Sequence, residues 1–319
     1  MFDYNFLQKT LHTIVLGSKF INKSLFEIEK IFFLEEKNIQ DKKHIFISGL
    51  PRSGTTLLLN VLYESGEFAS LKYSNMPFIL SPNISNLIPR KNIPKKERYH
   101  NDGIYFDLKS PEAFDEIFFK VFVFEEDFHE FKNFVELILK SQSKSRYLSK
   151  NNLNFKRIKN LSSLFPNSKF LIPIREPYQH SISLQKQHKN FLNLQNKNSF
   201  VRKYMNYLGH SEFGIDHKSW NEPIKYDDTN NINYWLEQWF IFYEKIYEKY
   251  FNFNSCNFVI YDEFYKEDNF KNLINKLEIN NLNYSSFFKT KDRYEITPTL
   301  DINLYKKSLS LYNEFKRET

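Results

Sequence analysis

The chain has 319 residues, 41% of them hydrophobic, with 34 Phe and 20 Tyr, enough apolar material for one large α/β domain with a sizeable core. Its net charge of +7 can steer anionic ligands, but the chain shows no basic stripe with interleaved aromatics and the basic clusters Arg90–Arg98 and Lys150–Lys159 are local, so no nucleic-acid partner is expected. The single cysteine, Cys256, excludes a disulfide-stapled fold.

Residues 3–37 read as helical, because Phe6, Leu7, Leu11, Ile14 and Val15, then Leu25, Ile28, Ile31 and Phe32, recur at three-to-four spacing. Residues 44–48 form the first core strand and 54–65 the helix after it. Residues 76–110 are rich in Pro and Asn and read as irregular. Residues 111–142 read as two helices, with Ser110-Pro111-Glu112 as a start signal. A short strand over 146–149, a helix over 153–165 and a core strand over 170–174 follow. The next helix runs from Pro177 to about Lys189. Residues 190–228 are rich in Asn and Lys and show no clear period; they read as an insertion or lid near the site. A long aromatic helix spans 230–250, a strand 257–261, whose start holds Cys256 as a buried thiol, and a helix 268–279. Strands alternating with helices imply an α/β three-layer fold of the P-loop type, a central parallel sheet flanked by helices with helical and irregular insertions, in one domain over 1–319. Ligands of such sheets bind beyond the carboxyl ends of the strands. No run reaches the ~18 apolar residues of a membrane span, so no integral membrane segment is expected.

Two segments reach that edge with phosphate-binding chemistry. Ile45–Leu59 reads IFISGLPRSGTTLLL, an apolar strand running into a glycine loop and then a helical pattern. Gly49 and Gly54 have the spacing of a nucleotide phosphate loop, but Thr55 and Thr56 stand where the lysine that reaches a γ-phosphate belongs. The cation is Arg52, inside the loop. The backbone can still cradle an anion, because the helix N-terminus offers unpaired amides and a favourable dipole. The loop therefore calls for a phosphorylated ligand other than ATP or GTP. Lys169–Ser183 reads KFLIPIREPYQHSIS. A second strand ends at Arg175, Pro177 suits a helix's first turn, and Ser183 follows eight residues after Arg175. An arginine at a strand end and a serine on the next helix can grip a second phosphate.

Together these segments resemble the sulfotransferases that use 3′-phosphoadenosine 5′-phosphosulfate (PAPS). In that family P-R-S-G-T-T binds the 5′-phosphosulfate and R-x-P-x5-S the 3′-phosphate. Pro51, Arg52, Ser53, Gly54, Thr55 and Thr56 match the first element without a gap; Arg175, Pro177 and Ser183 match the second. Trp235–Tyr250 and Val259–Phe264 look like the family's late helix and strand end. The resemblance implies transfer of a sulfonate from PAPS to a hydroxyl, release of 3′-phosphoadenosine 5′-phosphate (PAP), and no metal. A small-molecule kinase on the same scaffold would require the missing lysine, and a non-catalytic nucleotide-binding module would bind PAP without turnover. Animal Golgi members carry an N-terminal anchor, whereas residues 1–20 here show neither an anchor nor a signal peptide, so a cytoplasmic location is expected.

The resemblance also guides the search for catalytic groups. Lys150 matches the lysine of the family's E-K-[ST]-P, with Asn151-Asn152 in place of the last two residues; it is expected to reach the sulfonate or the acceptor. Tyrosylprotein sulfotransferases place a glutamate about twenty residues after the loop, but Ser70–Pro77 holds no acid, so the acceptor is expected to be a saccharide hydroxyl. Tyr99–Ile104 resembles an H-x-D-G-[IV] stretch of bacterial members, which makes His100 the expected base and Asp102 its orienting partner or a hydroxyl ligand. Glu112 and Glu116 are fallback bases. His180 and His188 read as surface, and His210 and His217 as loop residues with poor metal-ligand spacing. Lys289–Arg293 is a basic loop, from which Lys291 or Arg293 could close over the 3′-phosphate as in cytosolic members.

Overall fold

The computed structural model describes residues 5–90, 94–97, 105–122, 128–282 and 294–317. In chain order the elements are α1 (Phe6–Gly17), α2 (Lys19–Phe33), β1 (Ile45–Ile47), α3 (Thr55–Glu64), β2 (Phe68–Ala69), α4 (Pro82–Asn86), β3 (Lys96–Glu97), β4 (Tyr105–Phe106), α5 (Glu116–Val121), α6 (Phe128–Ser141) and β5 (Arg146–Lys150). They continue with α7 (Ile158–Leu164), β6 (Lys169–Ile174), α8 (Pro177–Lys197), α9 (Ser199–Leu208), α10 (Ile232–Tyr250), β7 (Cys256–Ile260), α11 (Glu267–Lys276) and α12 (Ile302–Arg317).

A five-stranded sheet has the order β2-β5-β1-β6-β7, every pairing parallel. The three residues of β1 are wholly buried, as a strand covered by helices on both faces must be. The two-residue alternation of a strand then sorts its side chains. Ile45 and Ile47 pack with Leu58, Leu62 and Leu171 on one side, whereas Phe46 joins Tyr147, Phe170 and Trp239 on the other. Phe46 and Phe170 stack with centroids 5.4 Å apart. Register places Ile47 opposite both Lys150 and Leu171, and Ile174 opposite Ile260. Ser48, Lys150, Arg175 and Tyr261 therefore leave the sheet at one edge.

Several boundaries differ from the sequence expectation. Residues 190–208 are helical, since α8 runs eight residues further and α9 follows; only the part from 209 onward lacks regular structure. In the extension of α8 only Phe191 and Gln195 are buried, too few to show a period, whereas the buried Val201, Tyr204, Met205 and Leu208 of α9 keep the three-to-four spacing of an amphipathic helix, which the expectation of an insertion without a period passes over. Pro111 does not open a helix: it forms a bridge with Lys72, and α5 begins at Glu116. The first helical region breaks at Ser18, whose hydroxyl caps α2 by accepting from the Ile21 amide at 3.3 Å. Residues 153–165 divide into a 3₁₀ turn, Asn152–Lys156, and α7. Cys256 is partly exposed at the start of β7. The C-terminal α12, not expected from the sequence, packs Phe315 against Tyr247, Phe251 and Phe258.

Candidate functional site

The loop after β1 is shaped by three residues of positive φ: Gly49 at 135°, Arg52 at 70° and Gly54 at 106°. Gly54 has a steric reason as well, because a Cβ there would meet the Tyr261 ring at 2.6 Å. Arg52 carries a side chain in the left-handed region, a strain of about 1–2 kcal/mol that persists only where the surroundings over-determine it. Gly54 is the N-cap of α3 and supplies no side-chain cap, so the first-turn amides of that ten-residue helix are left for an outside acceptor. Ser53 is buried and turns inward, its hydroxyl donating to the Leu50 carbonyl at 2.7 Å. Ser48 accepts from the Phe155 amide at 2.7 Å and donates to the Asn152 carbonyl at 3.2 Å, tying the loop to the end of β5.

The second motif meets the first. Pro177 opens α8, and Glu176 caps it by accepting from the Gln179 amide at 2.7 Å. Arg175 stands between the end of β6 and that cap, its guanidinium 5.4 Å from the Tyr261 ring centroid. Arg52 Nε donates to Ser183 Oγ at 3.3 Å. His180, one turn before Ser183 on the same helix, lies 2.8 Å through Nε2 from the Pro51 carbonyl. A carbonyl only accepts, so Nε2 carries the proton. Burial, relieved in part by that hydrogen bond and reinforced by Arg175 and Arg52, pushes the ring down to about 3, so it is neutral and serves as a strut under the loop. This corrects the surface assignment of His180; the i, i+3 spacing to Ser183 was the available signal that both face the loop. On the other side of α8, Gln179 pairs with Tyr294 through two 2.8 Å hydrogen bonds to its backbone.

The other half of the edge holds Lys150, buried at 7% exposure at the end of β5. Asn151 accepts from the Leu153 amide at 2.9 Å and donates to Glu116 at 2.7 Å. Asn152 donates to Glu212 Oε1 at 3.3 Å, and Glu212 Oε1 is 3.2 Å from His210 Nδ1. Burial alone would raise the Glu212 carboxyl, but His210, its own backbone amide and Lys150 together hold it at about 2. Glu212 is thus an ionised carboxylate packed beside a buried lysine, with His210 half-buried above it. The turn that brings them in is made by Gly209, where a Cβ would come within 2.8 Å of the Glu116 side chain.

The remaining candidates are committed elsewhere. Glu116 is bridged by both guanidinium nitrogens of Arg157 at 3.0 Å. Glu112 accepts from the Tyr73 hydroxyl at 2.5 Å and from the Ala113 amide at 2.8 Å. His188 is buried, not exposed. Its Nδ1 accepts from the Gly214 amide at 3.3 Å, and burial with the neighbouring His217 pushes it down to about 4. His217 donates to the Glu212 carbonyl at 2.7 Å and accepts from the Tyr234 hydroxyl at 2.7 Å, so this pair pins residues 212–217 onto α8 and α10. His100, Asp102, Lys291 and Arg293 lie outside the described residues. Among the described residues no group of three His, Cys, Asp or Glu could hold a metal ion, and no helix is long and apolar enough to cross a membrane.

Sequence reasoning missed the His210–Glu212 pair. Nothing local marks it except its position between Gly209 and Gly214, two of only seven glycines in the chain.

The family model described as "Sulfotransferase family" matches residues 44–218, more than half of the chain and inclusive of both phosphate motifs. No curated protein sequence matches. Among solved structures, the sulfotransferase STF1 of Mycobacterium tuberculosis aligns at 12% identity with a TM-score of 0.51, covering 96% of this chain and 87% of its own. The sulfotransferase STF9 of Mycobacterium avium aligns at 12% identity and a TM-score of 0.49 over 99% and 86%. A sulfotransferase of Alicyclobacillus acidocaldarius aligns at 11% and 0.43 over 86% and 96%.

Proposed function

The chain belongs to the sulfotransferase family, and on that premise we propose that it transfers a sulfonate from PAPS to an acceptor hydroxyl, on a saccharide. The observation that carries the cosubstrate is the 3.3 Å contact between Arg52 and Ser183, which joins two motifs far apart in sequence into one anion-binding crevice. Bound there, PAPS supplies an activated sulfonate on a phosphate leaving group. The amides of Gly54, Thr55 and Thr56, the Thr hydroxyls and Arg52 hold the 5′ end and meet the charge that grows on the departing phosphate. Pro51 and Ser53 fix the loop's shape. Arg175 and Ser183 hold the 3′-phosphate.

Lys150 supplies a fixed positive charge on the acceptor side, where it can stabilise the transferring oxygens. The base is proposed to be His100, oriented by Asp102. A second reading has a specific observation behind it: His210 is oriented by the buried Glu212 beside Lys150, and among the described residues its Nε2 has no hydrogen-bond partner. In either reading the histidine takes the proton of the attacking hydroxyl. The saccharide acceptor is supported by the basic net charge and by the lack of an acid at 70–77. The reading takes 1–319 as one sulfotransferase domain acting in the cytoplasm.

Calorimetric titration with PAP, beside ATP–Mg²⁺, tests the cosubstrate, and release of PAP from PAPS in the presence of saccharide acceptors tests the reaction. Tight PAP binding with acceptor-dependent release is expected. Preference for ATP–Mg²⁺ would overturn the reading in favour of a kinase, and PAP binding without turnover in favour of a binding module.

A further inference from the structure

Apart from Val15 and Leu25, the apolar residues that gave the first helical region its period face away from the core. On α1, Phe6, Leu7, Leu11 and Ile14 are exposed, opposite the buried His12, Val15 and Leu16. On α2, Phe20 and Ile31 are 79% and 78% exposed, Ile28 and Phe32 join them, and the buried face is Asn22, Phe26 and Glu29. A helix lying on a protein body normally turns a polar face to water. Here two consecutive helices turn apolar faces outward, and Leu87, just past the α4 helix that packs on α2, adds another exposed apolar side chain. Among the described residues eight of fifteen exposed large hydrophobic side chains lie in these two helices, a concentration that marks an interaction surface.

The charges around these faces identify the partner. Glu27 is paired with Lys30 at 3.0 Å, and Glu29 is buried against the amides of Asn83 and Ile84. Lys30 is shared with Glu130 at 2.9 Å, so the outward charges of the two helices are Lys19 and Lys23 against Glu27, a small basic excess. Protein interfaces deplete lysine and enrich Tyr, Trp and Arg. Phe, Leu and Ile rimmed by lysine are instead the composition of helices that lie in an anionic bilayer surface. We propose that the α1–α2 surface docks the protein on an anionic lipid bilayer. α1 packs on α9, which leads through Gly209 into His210 and Glu212, so the docked face adjoins the acceptor half of the site.

The test is flotation of the full chain with vesicles of phosphatidylcholine, with and without phosphatidylglycerol. The protein is expected to float with the anionic vesicles, less so at high salt, and not with pure phosphatidylcholine. Phe20→Ser with Ile31→Ser, both on exposed positions, is expected to weaken that binding by roughly tenfold or more, while PAP titration of the same variant, which reports folding and the crevice, stays unchanged. Absence of flotation with anionic vesicles overturns the proposal, as does a double variant that floats like the wild type. If light scattering shows a wild-type dimer that the variant converts to monomer without any flotation, the face binds a second copy of the chain and the lipid proposal falls.

Discussion

The two halves of the sheet's carboxyl edge are built by different means. On the side proposed to hold the nucleotide, the groups follow directly from two strand ends in sequence, Arg52 and Gly54 in the loop after β1, Arg175 and Ser183 in the turn and helix after β6. Backbone conformation and helix starts do the positioning, and His180, a neutral buried strut, locks one motif to the other. On the side proposed to face the acceptor, the groups come from remote segments and are held by side-chain pairs. Lys150 ends β5, whereas Glu212 arrives 60 residues after Asn152, the residue that anchors it. The contrast teaches that a phosphate can be recognised by local backbone geometry, which every member of a fold can share, whereas the charged groups facing an acceptor are assembled by packing.

That difference can be broken or sharpened by experiment. The largest effect is expected on the acceptor side. His100→Ala is predicted to lower kcat by about 10²–10⁴-fold with PAP affinity unchanged; if instead His210→Ala does so and His100→Ala leaves kcat intact, the base is the histidine beside Glu212. In that case Glu212→Gln should follow His210→Ala in the pH profile of kcat more than in its size. Next, Arg52→Ala should cost about 10²–10³-fold in kcat, and here PAP binding should weaken as well, which separates the two halves. Arg175→Ala should reduce PAP affinity by about 10–100-fold, the weight of a hydrogen bond to a charged group, with little change in the pH profile. Gly54→Ala should destabilise the fold by about 1–3 kcal/mol, since it combines a left-handed φ with a collision against Tyr261; a thermal midpoint equal to the wild type's would show that the loop is not held as described.

A further effect is on stability and not on catalysis: its dependence on pH. The His180 ring titrates near 6.5 when unfolded and near 3 when buried. Between those values the unfolded chain binds the extra proton, so stability is complete above about 6.5 and falls as the pH drops through that window. The loss from this residue is on the order of 3 kcal/mol by pH 4. His44 and His188, both pushed by burial to about 4, act in the same direction. His180→Gln should flatten the fall of the thermal midpoint between pH 7 and 5; an unchanged slope would mean that the ring is not buried neutral.

The elements that a sequence reader can place here are those whose cause is local. β1, its loop and α3 were legible because an apolar run meets two glycines at fixed spacing, and β6 and the start of α8 because Pro177 follows a strand end. The parallel sheet followed from the alternation of strands and helices. What was not legible depended on distance. The extension of α8 rests on a few buried residues amid Asn and Lys, whereas α9 carried a legible three-to-four period in Val201, Tyr204, Met205 and Leu208 that the Asn- and Lys-rich surroundings hid. Pro111 resembled a helix start but pairs with Lys72 across a bridge. The period of α1 and α2 was correct for helices but left their faces open, because periodicity cannot tell the side that meets the core from a side that meets something else. His180 and His188 looked like surface residues because burial of a polar ring depends on a partner carbonyl or amide that sequence does not reveal.

The most direct test of the central claim is a double-mutant cycle on PAP affinity, with Arg52→Ala, Ser183→Ala and both together, measured by calorimetry. If the two motifs form one crevice around one ligand, each single change weakens PAP and the double change costs measurably less or more than their sum. Losses that simply add, or a single variant that binds PAP as the wild type does, would contradict the account and return the two motifs to separate roles.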